Sequence, residues 1–221
     1  MITPDTLQDR LGYSFKNETL LKTALTHASV GSDTDYERLE FLGDRVLGLI
    51  VAESLYALYP NEPEGDLSKR HTALVRGETM TQSARSINLG AYIRVSESEK
   101  SSGGLDNPNI LSDIMEAVIG AVYLDGGLEA ARAVLTPLLA DALSAMKGPP
   151  RDPKTTLQEW TQGQGLGLPE YEMTARSGPD HAPDFTVTVT VTGKKPATAS
   201  GPSKRAAEKS AAQAMIDQLG I

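Results

Sequence analysis

Glu40 and Asp44 stand four residues apart in the segment ERLEFLGD (residues 37–44), and Asp113 and Glu116 stand three apart in SDIMEA (residues 112–117). On helices, each pair projects from one face. Like charges so placed repel by about a few tenths of a kcal/mol per pair, and either solvent or a bound cation can offset that cost. Leu39, Phe41, Leu42, Val46, Leu47, Leu49 and Ile50 surround the first pair, while Ile110, Leu111, Ile114, Met115, Val118, Ile119 and Val122 surround the second. Both helices are therefore expected to be buried, and acids among so many apolar neighbours need a reason beyond a solvated face. The chain has no cysteine, and neither segment contains histidine. The quartet is an oxygen-only set that suits Mg²⁺, with Mn²⁺ as a substitute, better than zinc. The absence of a Glu-x-x-His pair argues against a di-iron bundle. Gly43 costs a helix about 1 kcal/mol relative to alanine. Its position beside Asp44 points to close access for a substrate backbone or a second helix.

The elements that must hold these acids are mostly helical. Thr3 is placed to cap a helix that begins at Pro4 and stops at Gly12, and Asn17 to cap one carrying Leu20, Leu21, Ala24 and Leu25. Further helices are expected over residues 35–58, 66–89 (ended by Gly90), 110–124 and 128–146. Lys147-Gly148-Pro149-Pro150-Arg151 cannot continue a helix and reads as a linker. Beyond it the period changes: helix 154–164, strands 171–176, 185–191 and 196–200, then helix 203–219. The last helix is rich in alanine (Ala206, Ala207, Ala211, Ala212, Ala214), which lets it lie close to a sheet. The expectation is a multi-domain chain: an all-α domain (1–147), a linker (148–152) and a small α+β domain of order α-β-β-β-α (153–221).

Composition bounds the setting. The 221 residues are 39% hydrophobic, enough for a folded core. No apolar run approaches the roughly 20 residues that span a bilayer, and residues 1–10 lack the regions of a secretory signal. A cytoplasmic protein with no membrane association is expected. The net charge of −8 lies in residues 1–150, with 13 Lys+Arg against 21 Asp+Glu, because residues 151–221 hold 8 of each. The acidic excess thus accompanies the proposed metal site and does not bar RNA from the second domain.

At this point the chain resembles bacterial ribonuclease III. Residues 37–44 resemble that family's signature and residues 111–125 its second acidic segment, and the blocks Leu25-Thr26-His27-Ala28-Ser29 and Glu64-Gly65-Asp66-Leu67-Ser68 agree in order. The resemblance implies a helical endonuclease domain followed by a double-stranded-RNA-binding domain. It assigns Glu37 and Glu64 to substrate or outer contacts around the metal ligands Glu40, Asp44, Asp113 and Glu116, with Asp44 and Glu116 catalytic. In the second domain, it assigns RNA contact to Lys154, Thr155, Gln158, Glu159 and Gln162 on the first helix, to His181 in the loop 178–183, and to Ser203, Lys204, Arg205 and Lys209 at the last helix. Short polar side chains suit the minor groove of an A-form duplex, and a basic helix start suits the phosphates between. Ala199 and Pro202 depart from the usual pattern there, where glycine and a basic residue are common.

The expected reaction is Mg²⁺-assisted hydrolysis of RNA phosphodiesters to 5′-phosphate and 3′-hydroxyl ends, with no organic cofactor. His27, His71 and His181 fall in separate segments, so a paired-histidine site is not expected. His27 reads as a structural or capping residue, and His71 as facing phosphate or solvent. A duplex has two strands and each chain one set of acids, so a homodimer is expected, as the resemblance also implies. Phe41, Leu42, Val46 and Ile50 are candidate interface residues, with core packing as the alternative for each. The resemblance implies ribosomal-RNA precursors and structured messenger RNAs as substrates. Two other classes stand beside this reading. A non-cleaving RNA-binding or ribosome-associated protein is disfavoured by the intact acids, and a hydrolase of small phosphate esters leaves the second domain unexplained.

Overall fold

In helix α3 (Glu37–Leu58), the buried residues Leu39, Gly43, Val46, Leu47, Ile50, Val51 and Leu55 fall on one stripe, at the spacing of an amphipathic helix. Helix α7 (Pro108–Ala145) differs, for between Ile110 and Val122 nearly every residue is buried. A helix apolar on all sides belongs at the centre of its domain, and α7 packs most extensively against α3. The computed structural model describes residues 4–179 and 182–221. Thr3 and His181, the expected cap and loop contact, lie outside the described residues. The chain separates into two compact units, Met1–Pro150 and Arg151–Ile221.

In the first unit, α1 (Pro4–Leu11) and α2 (Glu18–Ala24) precede α3, and α4 (Glu64–Leu74), α5 (Gly77–Ser86) and α6 (Glu97–Ser101) lead to α7. Asn17 caps α2 as expected, its side chain accepting from the Thr19 amide at 3.1 Å. Asp125 on α7 accepts from the Tyr13 hydroxyl at 2.7 Å and from the Lys16 and Asn17 amides at 2.9 Å, which fastens the α1–α2 connection to the central helix.

One expectation changes. The single helix over 66–89 is two helices, because Arg76 is extended (φ −71°, ψ 150°) and α5 starts anew at Gly77. The change of direction lets α5 pack against α7. The helices expected over 110–124 and 128–146 are both present, the first beginning two residues earlier at Pro108; they meet at a kink where Gly127 is non-helical (φ 80°, ψ −175°) and together make up α7. That backbone conformation is open to glycine and strained for any other residue.

The α3–α7 crossing is a backbone-to-backbone contact. A Cβ on Gly43 would collide with the Glu116 carbonyl, and one on Gly120 with the Leu39 carbonyl. Of the two uses read from Gly43, the second helix is the one found.

The second unit has the expected order: α8 (Pro153–Gly163), β1 (Glu170–Ser177), β2 (Asp184–Thr190), β3 (Ala197–Gly201) and α9 (Lys204–Leu219). The strands form one antiparallel sheet in the order β1-β2-β3, with Val187 opposite Ala199 and Val189 opposite Ala197. Val187, Val189 and Ala197 pack against Leu157 of α8 and Ala207, Ala211, Ala212 and Met215 of α9, so the alanines do bring the helix down onto the sheet. On the other face, Thr186 pairs with Ser200 at 2.9 Å and Thr188 with Thr198 at 2.8 Å. Among the described residues, no helix is long and apolar enough to cross a membrane.

Gly120→Ala is expected to lower stability by about 2 kcal/mol or more, the scale of overpacking a closed contact. Gly65 lies in α4 with open space around it, so Gly65→Ala should gain about 0.5–1 kcal/mol from helix propensity alone. Urea unfolding of the two variants beside the parent checks both signs.

Candidate active site

Glu40 lies one turn before Gly43 on α3, and Glu116 is the residue whose carbonyl Gly43 meets on α7. The glycine contact therefore brings the two acidic segments together. Three of the four acids form one electrostatic cluster. Burial and the neighbouring Asp113 and Glu37 raise the proton affinity of Glu40, and burial raises that of Asp113, opposed by His27. Burial, then Asp113 and Glu40, push Glu116 from its ordinary 4.5 up to about 7, against a lowering effect from Arg45. Among the described residues, no three side chains close on a common point at metal-binding distance. Mutual repulsion of ionised carboxylates favours such a spread. The cluster is electrostatically coupled while its oxygens rest apart.

Asp44 stands differently. Its carboxylate pairs with the guanidinium of Arg45, the adjacent residue. Arg45 also lies over the Phe41 ring, 5.1 Å from its centroid. Glu37 is exposed at the start of α3 and raises Glu40. Glu64 is exposed at the first position of α4, and none of the described electrostatic contacts joins it to the cluster.

His27 caps the short 3₁₀ segment Ala28–Val30, its Nδ1 accepting from the Ser29 amide at 3.2 Å, in keeping with the structural role read from sequence. Its ring stacks on Tyr36, with centroids 5.4 Å apart. Burial and then Asp113, Glu40, Glu37 and Asp35 push the Tyr36 hydroxyl up to about 12, so it stays protonated beside the acids. Tyr36 and Arg45 were not singled out from the sequence. The only signals for them were an aromatic immediately before the ERLE run and a cation immediately after Asp44. His71 is half-buried, with Nε2 3.0 Å from the Gly48 carbonyl, so its ring is anchored to α3 and only partly meets solvent.

The α3 helix is not buried all round. Phe41 is 67% exposed and Leu49 49%, so the apolar residues around the first acid pair serve two faces. Of the candidate interface residues, Val46 and Ile50 are 5% and 2% exposed and belong to the core, Leu42 is half-buried, and Phe41 faces outward. A stripe one helix turn wide meets the core, which leaves Phe41 on the other side.

In the second unit, Thr155, Gln158, Glu159 and Gln162 are exposed on α8. Ser203 caps α9, its hydroxyl accepting from the Ala206 amide at 3.2 Å, and Lys204 and Arg205 are exposed beside it with no ion pair among the described residues. Two expected RNA contacts are committed elsewhere. Lys154 pairs with Glu208 at 2.6 Å and lies over the Tyr171 ring, while Lys209 pairs with Asp152 at 2.6 Å. Gly201 is the glycine that the entry to α9 requires, since a Cβ there would come within 2.8 Å of the Ala207 amide nitrogen.

A family model described as ribonuclease-III-like matches residues 17–143, and one described as a double-stranded RNA binding motif matches residues 153–219. Ribonuclease 3 of Caulobacter vibrioides is 50% identical over 219 residues, covering 97% of this chain and 95% of that protein. The chain belongs to the ribonuclease III family. Ribonuclease 3 of Methylocella silvestris is 48% identical over 217 residues, covering 97% of this chain and 92% of that protein. The nuclease domain of ribonuclease III from Campylobacter jejuni, solved in a study of flexibility in a region involved in dimer formation, is 43% identical with a TM-score of 0.62. It covers 63% of this chain, and 97% of that domain is matched. As a ribonuclease III with both modules, the chain is an endoribonuclease of double-stranded RNA.

The shift at Glu116 has a sign. An acid whose value is raised in the fold keeps a proton that the unfolded chain has already released, so its contribution to stability is full below 4.5 and is lost as pH rises to about 7. Glu116→Gln removes that loss. In the presence of a chelator, the variant is expected to melt above the parent at pH 8 and level with it near pH 4.5, as read by thermal denaturation at both values. A parent equal to the variant at pH 8 would contradict the shift.

Proposed function

We propose that this chain is a Mg²⁺-dependent endoribonuclease that hydrolyses double-stranded RNA to 5′-phosphate and 3′-hydroxyl ends. The observation that supports it most is the coupling of Glu40, Asp113 and Glu116 at the α3–α7 crossing, in a chain that also carries a double-stranded RNA binding motif. The donor set fits a hard divalent cation. It consists of carboxylate oxygens alone; the charged forms of Glu40, Asp113 and Glu116 are disfavoured by burial, and a cation offsets that penalty. Mn²⁺ fits the same oxygens.

In this reading Glu40, Asp113 and Glu116 hold the metal, and Asp44 joins them when it leaves Arg45. When bound, the metal supplies Lewis-acid activation of water and neutralises charge on the leaving 3′ oxygen. The residues of the chain do the rest. Glu116, pushed up to about 7 by burial and its acidic neighbours, would have to be ionised to hold a cation, so cleavage should rise with pH across neutrality. Arg45, on release from Asp44, is a cation beside the incoming phosphates. Tyr36 stays neutral and keeps one wall of the site uncharged. Glu37 and Glu64 serve substrate or outer contacts, with Asp44 and Glu116 as the catalytic residues.

Residues 1–147 act as the endonuclease domain and residues 153–221 as the RNA module, joined by 148–152. The module presents Thr155, Gln158, Glu159, Gln162 and His181 to the minor grooves, and Ser203, Lys204 and Arg205 to the phosphates between. Lys154 and Lys209 contribute only after exchanging their carboxylate partners. A homodimer supplies one site per strand. The exposed Phe41, with Leu42 beside it, offers the interface, and the Campylobacter jejuni domain has a region involved in dimer formation. Ribosomal-RNA precursors and structured messenger RNAs, met in the cytoplasm, are the proposed substrates.

A long RNA duplex incubated with and without Mg²⁺ tests the chemistry. Glu116→Gln should bind the duplex as the parent does while cutting it at least ~100-fold more slowly, a rise of about 2.7 kcal/mol in the barrier. Equal rates, or a cyclic-phosphate product, would refute the mechanism. Sedimentation at micromolar concentration should give twice the 23.6 kDa chain mass, and a single chain mass would remove the dimer.

A further inference from the structure

A groove of about 630 Å³ runs between α5 and the start of α7 and ends at Asp113. Its lining includes Glu78, Gln82, Arg85, Asn109 and Ser112. Ser112 is 5% exposed, and its hydroxyl has no hydrogen-bond partner among the described residues. The rest of the side chain is packed away, so the hydroxyl meets solvent through the groove and is free to donate to, and accept from, a group that enters it. The side-chain amides of Gln82 and Asn109 are exposed and likewise unengaged among the described residues. Asn109, Asp113 and Glu116 are four and three residues apart on α7, so the groove opens on the same helix face as the acids.

The charge in the groove decides what it can take. Arg85 is its only cationic lining residue, and it is committed to Asp106, whose carboxylate is 2.9 Å from Nε and whose carbonyl is 3.3 Å from an Nη. Glu78 is likewise paired, with Arg76 at 3.2 Å, which leaves the Asp113 carboxylate as the charge that faces the groove, and a phosphate seated directly against it would be repelled. What remains for binding is a hydroxyl and two amides, each able to donate and accept. That chemistry matches the neutral hydroxyls of a sugar.

We propose that this groove seats a ribose next to the scissile phosphate, and that Ser112, assisted by Gln82 and Asn109, hydrogen-bonds its 2′-hydroxyl and thereby selects RNA over DNA at the cut. The inference rests on the nuclease reading above. An RNA strand whose phosphate sits at Asp113 and Glu116 must place a neighbouring sugar within reach of the same helix face. The 2′-hydroxyl, a donor and an acceptor in one group, is the feature that tells RNA from DNA at a given position. Ser112 is a specificity residue in this assignment and takes no part in bond breaking.

The test uses the full chain with Mg²⁺ and a set of RNA duplexes, each bearing one 2′-deoxy nucleotide at a different position flanking the cut. The parent should lose about 5- to 10-fold in kcat/KM at one of these positions, the scale of one or two neutral hydrogen bonds. Ser112→Ala should lose a similar factor on all-RNA duplex and nothing further on the duplex deoxy at that position, as expected when both changes remove one contact. Gln82→Ala, exposed and far from the core, repeats the comparison with no risk to the fold. Losses that multiply at every position, for both variants, would overturn the proposal. If the parent leaves the all-RNA duplex uncut, the nuclease reading itself has failed, whereas normal cutting with multiplying losses removes only the role of the groove.

Discussion

Two glycines allow the backbones of α3 and α7 to touch, and the geometry of the acids depends on that contact. Gly43 faces the Glu116 carbonyl and Gly120 faces the Leu39 carbonyl, so the helices lock at two points one turn apart on each. With larger residues at these points, side chains would separate the helices, and carboxylates on the two segments would lose most of their mutual influence in the intervening solvent. The crossing also explains why the acids are costly. Glu116 emerges from a helix whose other sides are filled by Ile114, Met115, Ala117 and Val118, all buried, so its charge has little water to lean on. The fold tolerates that penalty at one place, where it also concentrates negative oxygen.

The acid pairs were legible because their spacing and company are both unusual: i,i+4 and i,i+3 carboxylates in apolar segments. The α-β-β-β-α order was legible because the hydrophobic period changes from helical to alternating after the Pro149-Pro150 stop. Other features were hidden because they depend on neighbours distant in sequence. The break before Gly77 needs the packing of α5 on α7, and nothing in local propensity at Val75-Arg76 demands it. The outward turn of Phe41 could not be separated from the inward turn of Val46 and Ile50 by composition, since all three are apolar and only the stripe facing α7 is covered. The pairing of Asp44 with Arg45 is a side-chain choice among several partners that the chain offers.

The second unit shows a similar limit. Which residues are exposed on α8 and at the start of α9 followed from helical periodicity. That Lys154 and Lys209 already hold Glu208 and Asp152 did not, because these pairs bridge two helices separated in sequence by a whole sheet. The alanine-rich face of α9 has a direct physical basis: small side chains bring the helix to the sheet, and the short approach brings the two lysines within reach of the opposite acids.

Those two bridges make part of the RNA module its own counter-ion. A phosphate that recruits Lys154 or Lys209 must displace a carboxylate, which is then exposed and gathers cations from solution. Binding through these residues exchanges one anion for another, so it adds less to the net release of ions than contact through Lys204 or Arg205. The steepness with which added salt weakens duplex binding should therefore reflect the cations at the start of α9 more than the total number of lysines on the surface.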